Sequence, residues 1–490
     1  MTDDRTDPIA PLAARDVTRW DDEADVVVVG IGAAGTCAAI EAAERGADVL
    51  ALERAGAPGG TSAMSGGIIY LGGGTPIQQA CGFDDDPDNM ATFLTAACGP
   101  GVDEDKVAAY AEHSVAHYHW LVDHGVPFKA EFHDEPNREP PTDAGLIYSG
   151  GEDTWPFREL ARPAPRGHHP QHPDSAGAFL MRCLLDALGR TSTRVRADAR
   201  VDRLVVDEAD GAVVGAVMRA DGRDVVVRAR RGVVLSGGGF IYNSAMVDRW
   251  CADAARPDPA WRIGTDNDDG RVIRVAQGAG AAVARMEEFE CALPIRPPNR
   301  LARGILVNGR GERFLNEDTY TGRIGHQSLV DQLGEVYLVV DEHIFTVNAV
   351  GMRITWAAET VEELARDIGL PPDALAATVA RYNEHAARRE DPDHHKNPEW
   401  LVPLRPAFGA VDLRVSSGAI YAPFTLGGVV TDPDGRVGGD LDAGPIVPGL
   451  FAAGRTTAGV AAHGYVSGIS LGDGTFFGRR AGRTAVRGAR

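Results

Sequence analysis

Short, unbroken runs of aliphatic residues, each stopped by glycine or by a single acid, punctuate this chain. Asp25-Val26-Val27-Val28-Val29 ends in Gly30, an alanine-rich stretch reaches Gly46, and Ala47–Leu52 closes on Glu53. Runs of this kind predict strands buried on both faces, and the stretch between them predicts a helix. Arg231–Leu235 runs into Gly237-Gly238-Gly239, and Gly449–Ala453 runs into Gly454. Alternating segments at Arg200–Val206, Ala212–Arg219 and Asp224–Ala229 predict a small β-meander. Helical spacing covers Phe83–Pro127, Ser175–Leu188, Val361–Ile368, Pro372–Arg389 and Gly468–Ala481. Asp134–Pro173, rich in Pro, Gly and His, predicts a long surface loop.

The order of these elements predicts an α/β protein with a Rossmann-like dinucleotide-binding domain. That domain is discontinuous, built from residues 21–289 and 425–490 at the two chain ends. The texture changes after Glu290, with Pro294, Pro297 and Pro298 followed by short strands and helices. Residues 290–424 therefore read as an inserted α+β substrate or capping domain, and residues 1–20 as a flexible tail.

Gly30-Ile31-Gly32-Ala33-Ala34-Gly35 is a G-x-G-x-x-G set between a strand and a helix, the context that makes it a dinucleotide fingerprint. Gly30 makes the tight turn, Gly32 lets the backbone approach a pyrophosphate, and Gly35 lets helix and strand pack closely. The helix N-terminus directs its N–H groups and dipole at the phosphates. Glu53 stands 18 residues after Gly35, placed to hold ribose hydroxyls. Arg231–Phe240 reads either as a second nucleotide loop or as a strand passing beside the first.

A formal charge of −21 argues against a nucleic-acid partner. No apolar run is long enough to span a bilayer, and no signal-peptide pattern opens the chain, so a cytoplasmic protein without stable membrane insertion is expected. The six cysteines are scattered, without C-x-x-C. No metal is expected: His168, His169, His172, His394 and His395 read as solvated loop residues, and Asp84-Asp85-Asp86 as a solvated turn.

Gly59-Gly60-Thr61-Ser62-Ala63-Met64-Ser65-Gly66-Gly67 follows Glu53 closely, and Arg313-Phe314-Leu315-Asn316-Glu317, Thr425-Leu426-Gly427-Gly428 and Gly468-Ile469-Ser470-Leu471 follow in order. This series resembles the flavoprotein superfamily of fumarate reductases, succinate dehydrogenases and 3-ketosteroid dehydrogenases. The resemblance implies FAD. Gly30, Gly32, Gly35 and Glu53 would hold its ADP half, with Ala33, Ala34 and Arg54 beside them. Gly60, Thr61, Ser62 and Gly67, together with Ser65 and Gly66, would hold the pyrophosphate and flavin edge. Gly238 joins the set, and Gly454, Arg455, Ser470 and Leu471 would lie at the far end of the flavin. No His occurs in the 59–67 segment, where some relatives attach FAD covalently, so a non-covalent flavin is expected.

Fumarate-reductase-like members carry His before T-x-G-G and Arg four residues after the motif Glu; here Phe424 and Thr321 stand there, with Arg323 nearby. Tyr320 and His463-Gly464-Tyr465-Val466-Ser467-Gly468 instead resemble the 3-ketosteroid Δ4-(5α)-dehydrogenases. That resemblance implies desaturation beside a ketone: a proton leaves C4 and a hydride leaves C5 for flavin N5. Tyr465, helped by a backbone N–H near Gly468, would donate to the carbonyl oxygen, a kind of contact worth ~10²–10³ in rate. Ser467 would take the proton, with Tyr320 hydrogen-bonded to it as a relay toward solvent. The roles of Ser467 and Tyr465 are interchangeable at this point. A steroid is the expected substrate, and a quinone or redox protein the expected electron acceptor. Three alternatives remain: a fumarate- or urocanate-type reductase, a Δ1-dehydrogenase, and a flavin-binding redox sensor without turnover.

Overall fold

The computed structural model describes residues 5–135, 139–348, 350–439 and 445–488. Val26–Val29 and Val49–Leu52 are buried throughout, and they pair in parallel at the centre of a nine-stranded sheet. Arg194–Arg196 extends the sheet on one side. On the other side runs Arg223–Leu235, parallel to Asp22–Val29. The two sequence segments Asp224–Ala229 and Arg231–Leu235 are thus one strand, bent at a register shift between Ala229 and Gly232. Its first half pairs antiparallel with Val213–Ala220 in the meander, and its last residues pair in parallel with Ile446–Ala452. Of the two readings of Arg231–Phe240, the strand beside the first dinucleotide turn is the observed one.

The helix Ala33–Glu44 follows the first glycine turn, and the last helix, Ile469–Arg487, lies against it. A methyl group at Gly478 or Gly482 would overlap the carbonyls of Ala34 or Ala38, so the two backbones touch. The region Phe83–Pro127 forms two helices, Pro87–Cys98 and Glu104–Asp123. Each is started by an aspartate, Asp86 or Asp103, whose carboxylate accepts a first-turn N–H.

Residues 290–424 carry their own four-stranded antiparallel sheet, ordered Ile305–Asn308, Val336–Asp341, Phe408–Asp412, Trp356–Ala358. The helices Val361–Ile368 and Pro372–Ala386 pack with it, the former capped by Thr360 and stopped by left-handed Gly369. One apolar core runs without a break from Leu50 and Val201 in the main sheet to Leu338 and Leu364 here.

Four expectations are corrected. Residues 5–20 are not a loose tail: Leu12–Ala13 pairs in parallel with Val205–Val206, and the Ile9 N–H donates to the Arg274 carbonyl at 2.9 Å. The segment Asp134–Pro173 is not a surface loop. It contributes Leu146–Ile147 and Gly167–His168 to a small four-stranded sheet, and Ala164–Pro170 is buried. Nor is Asp85 solvated: its carboxylate takes two bonds from Arg166, at 2.7 and 3.0 Å, with both side chains fully buried. His168 and His169 are buried as well, and burial pulls each down to about 4, which keeps them neutral. His168 bridges Thr75 and the Arg166 carbonyl, a structural part rather than a ligand.

Candidate active site

A cavity of about 520 Å³ runs from the first glycine turn to the facing rings of Tyr320 and Tyr465. At the turn, Gly30 has φ +91°, which a side chain would strain, and the Ser236 hydroxyl donates to the Val29 and Gly30 carbonyls at 3.0 and 2.9 Å. A Cβ on Gly35 would overlap the Gly30 carbonyl. Gly35 is therefore a packing glycine set behind the wall, while Gly30, Gly32, Ala33 and Ala34 form the wall itself. No side chain caps the helix at Gly32, so its first turn opens on the cavity; one amide, that of Ala33, donates to the Ser62 hydroxyl at 3.1 Å. The Glu53 carboxylate accepts the Ile31 and Ala55 N–H groups, both at 2.9 Å, and is held at the cavity edge.

Midway along the cavity, Asp268 organises the wall. Its carboxylate accepts the Thr61 hydroxyl at 2.6 Å, the Arg455 guanidinium at 3.0 Å and the Gly239 N–H at 3.2 Å. A side chain at Gly238 would strike this same carboxylate. Arg54 is paired with Asp269 at 2.6 Å. Gly60, Ser65, Gly66, Gly67, Gly454, Ser470 and Leu471 complete the lining expected from the sequence. Asp268 and Asp269 were not singled out there. The signal was the polar turn Gly264-Thr265-Asp266-Asn267-Asp268-Asp269-Gly270, which no strand or helix pattern absorbs.

At the far end Tyr320, Tyr465 and Ser467 line one pocket, although Tyr320 lies about 145 residues upstream. The rings of Tyr320 and Tyr465 are 6.4 Å apart, and Phe424 meets Tyr465 edge-on at 5.2 Å. The Tyr465 hydroxyl is held by Ser470, whose hydroxyl lies at 3.1 Å and whose N–H donates to it at 3.4 Å. Burial pushes the Tyr465 phenol up to about 12, so it stays a donor at neutral pH. Tyr320 is also buried and is pushed well above the ordinary phenol range, by burial and then by the Glu290 carboxylate. Glu290, an acid not read from the sequence, thus stands beside the Tyr320 ring, the two meeting over Gly322. Its signal was a lone acid inside the apolar strand Phe289–Ala292.

The R-F-L-N-E motif acts behind this pocket. Glu317 is fully buried and takes Arg313 at 2.8 Å, Lys396 at 2.9 Å and the Leu306 N–H at 3.0 Å, while Arg313 also pairs with Asp391. This lattice fixes the turn that leads to Tyr320. Arg323 is not part of the cavity lining; it donates to Thr319 at 2.8 Å and lies over the Phe157 ring. It does not replace the arginine absent at Thr321. His463 bonds Glu288 at 3.3 Å near the surface. Among the described residues no group of histidines, cysteines and acids is placed to hold a metal, and no helix is long and apolar enough to cross a membrane.

Comparison with known proteins gives a consistent picture. The FAD binding domain family model matches residues 25–471. A 3-ketosteroid-Δ4-(5α)-dehydrogenase from Rhodococcus jostii RHA1, solved in complex with 4-androstene-3,17-dione, is 49% identical. The likeness covers 98% of this chain and 100% of that one, with a TM-score of 0.92. The 3-oxo-5-alpha-steroid 4-dehydrogenase of Comamonas testosteroni is 27% identical over 91% of this chain and 95% of its own length. A 3-oxosteroid 1-dehydrogenase of Mycobacterium tuberculosis is 28% identical, over 90% and 94%.

Proposed function

The chain belongs to the FAD-binding flavoprotein family that includes the 3-ketosteroid dehydrogenases, and on that premise we propose that it oxidises 3-keto-5α-steroids to 4-ene-3-ketones. The observation that carries this reading is the pocket in which Tyr320, Tyr465 and Ser467 converge beside Phe424.

The cavity fits FAD by its own features: a helix N-terminus without a side-chain cap, glycines with no room for a Cβ, and Glu53 at the ribose end. FAD, bound without a covalent link, supplies the hydride acceptor for the C5 hydrogen. Residues 21–289 and 425–490 make the cofactor domain in this reading, and residues 290–424 cap the substrate end.

Tyr465 donates its O–H to the C3 carbonyl, stabilising the enolate that forms as C4 loses a proton. Its phenol is neutral and in the substrate-free protein donates to the Ser470 hydroxyl; turning that proton to the C3 carbonyl makes Tyr465 the donor and leaves Ser467 as proton acceptor. Ser467 takes the C4 proton with Tyr320 behind it. Phe424 and the retracted Arg323 leave the substrate end short of the charge a dicarboxylate needs, which disfavours the fumarate-type reading. The electrons leave to a quinone or a redox protein.

The test is anaerobic addition of 5α-androstane-3,17-dione to the flavin-loaded protein. Bleaching of the flavin together with the 4-ene-3-ketone absorbance is the expected result. Bleaching without that enone moves the double bond to C1, and no bleaching removes the steroid reading.

A further inference from the structure

A proton passed to Tyr320 needs a destination, and the phenol is too buried to deliver it directly to water. Glu290 stands beside it. A methyl group at Gly322 would overlap both the Glu290 Oε1 atom and a Tyr320 ring carbon, so the carboxylate and the ring meet over that glycine. The strand Phe289–Ala292 sets Glu290 directly opposite Phe424 in an antiparallel pair, and both line the cavity. Glu290 Oε1 is shut off from solvent and accepts no hydrogen bond in the substrate-free protein. A bare buried carboxylate oxygen is costly to fold around and is a ready acceptor.

We infer that Glu290 is the terminal acceptor of the C4 proton, reached through Tyr320. The inference rests on the steroid-oxidation reading above. The C4–H bond breaks and a new O–H forms on Ser467 as the serine's own proton moves to the Tyr320 oxygen. The Tyr320 proton in turn forms an O–H on the Glu290 carboxylate. The C4 electron pair becomes the new double bond, and the hydride lost from C5 would go to bound FAD, the two-electron acceptor. Each double bond thus leaves one proton on Glu290 and one hydride on the cofactor. The carboxyl returns its proton to water when the product has left the cavity.

The surroundings suit this task. Burial raises the Glu290 carboxyl to about 7, against the opposing pull of the neighbouring Tyr320 hydroxyl and the charge of Arg323. The other titratable groups that feel it are Tyr465, Cys98 and Cys291, all pushed upward by burial and neutral near pH 7. Arg323, brought down to about 10, is the cation among them.

The test compares wild type, Glu290→Gln and Glu152→Gln as flavin-loaded enzymes from about pH 5 to 9. Glu152 is a second buried carboxyl raised to about 7, away from the cavity wall. In wild type, kcat/KM falls on the acid side with a midpoint near about 7. Glu290→Gln lowers the neutral-pH rate ~10²-fold and abolishes that acid limb, whereas Glu152→Gln keeps it. Infrared difference spectra of the substrate-free proteins add a readout independent of turnover: Glu290→Gln loses a titrating carboxyl band that Glu152→Gln retains. If wild type oxidises the steroid but Glu290→Gln keeps both rate and limb, the inference falls and the steroid reading stands. If wild type shows the band but does not oxidise the steroid, the reading falls and takes the inference with it.

Discussion

Two buried groups of charges flank Tyr320, and they behave in opposite ways. On one side Glu317 sits among Arg313, Lys396 and the Leu306 amide, with Asp391 closing the lattice. On the other, Glu290 has the neighbouring Tyr320 and the charge of Arg323, with no ion pair among the described residues and with Oε1 accepting no hydrogen bond. Burial raises both carboxyls. Two direct cations overcome it for Glu317, which falls to about 2, while Glu290 remains at about 7. The number of partners, not the depth, decides which carboxylate is a permanent charge and which can take a proton near neutral pH. A matched lattice holds the turn in place; an unmatched acid does the proton work.

The largest effect expected from this contrast is on the matched side. Arg313→Met leaves Asp391 without its cation and Glu317 with Lys396 alone, and should cost about 3–5 kcal/mol of folding stability, read by thermal or urea unfolding. Survival of the variant with an unchanged midpoint would show that the lattice is not what holds the turn. Tyr465→Phe tests the pocket itself. It should lose ~10²–10³ in kcat/KM on a 3-keto-5α-steroid while its unfolding midpoint barely moves, because only the carbonyl donor is removed.

The third prediction concerns pH and stability. Glu317 has a folded pKa below its ordinary value, so its support is full above the ordinary carboxyl range and is lost as pH falls toward about 2. Glu290 has a folded pKa above its ordinary value, so its contribution is full below that range and is lost as pH rises through about 7. Glu290→Gln should therefore raise the melting temperature at about pH 8, by roughly 1–3 kcal/mol of stability, even as turnover drops. A lower melting temperature at that pH would contradict the unmatched-acid description. The smallest effect is expected at the surface pair Arg381 and Asp393, 2.7 Å apart but open to water. A double-mutant cycle there should give the weakest coupling of any pair tested, the solvated baseline for the buried lattice.

Much of the cofactor half was legible because its signals are local. The glycine turn, the helix after it and Glu53 lie within one βαβ unit, and backbone constraints at Gly30 and Gly35 leave a direct mark on residue type. Tyr320, Tyr465 and Ser467 were legible through resemblance, and the pocket brings them together. What escaped was settled by distant partners. Asp85 looks like part of a solvated acidic turn until Arg166, 81 residues away, is folded onto it. His168 and His169 sit in a proline-rich segment whose burial depends on pairing with Ile69–Tyr70 and Leu146–Ile147. Glu290 beside Tyr320 went unread for the same reason: it is opposed to Phe424 by a strand pairing that no local pattern reveals.

The contact between the helix Ala33–Glu44 and the helix Ile469–Arg487 has a consequence for how the protein is made. The first glycine turn is synthesised long before the helix that backs it through Gly478 and Gly482. The strand Ile446–Ala452, which completes the central sheet, also arrives late. A chain cut short before Ile446 would carry every glycine of the fingerprint and still lack both the strand and the helix that close the cleft. A cleft that holds its cofactor therefore reports that segments more than 400 residues apart in the sequence have docked, which makes flavin colour a readout of long-range assembly rather than of the fingerprint alone.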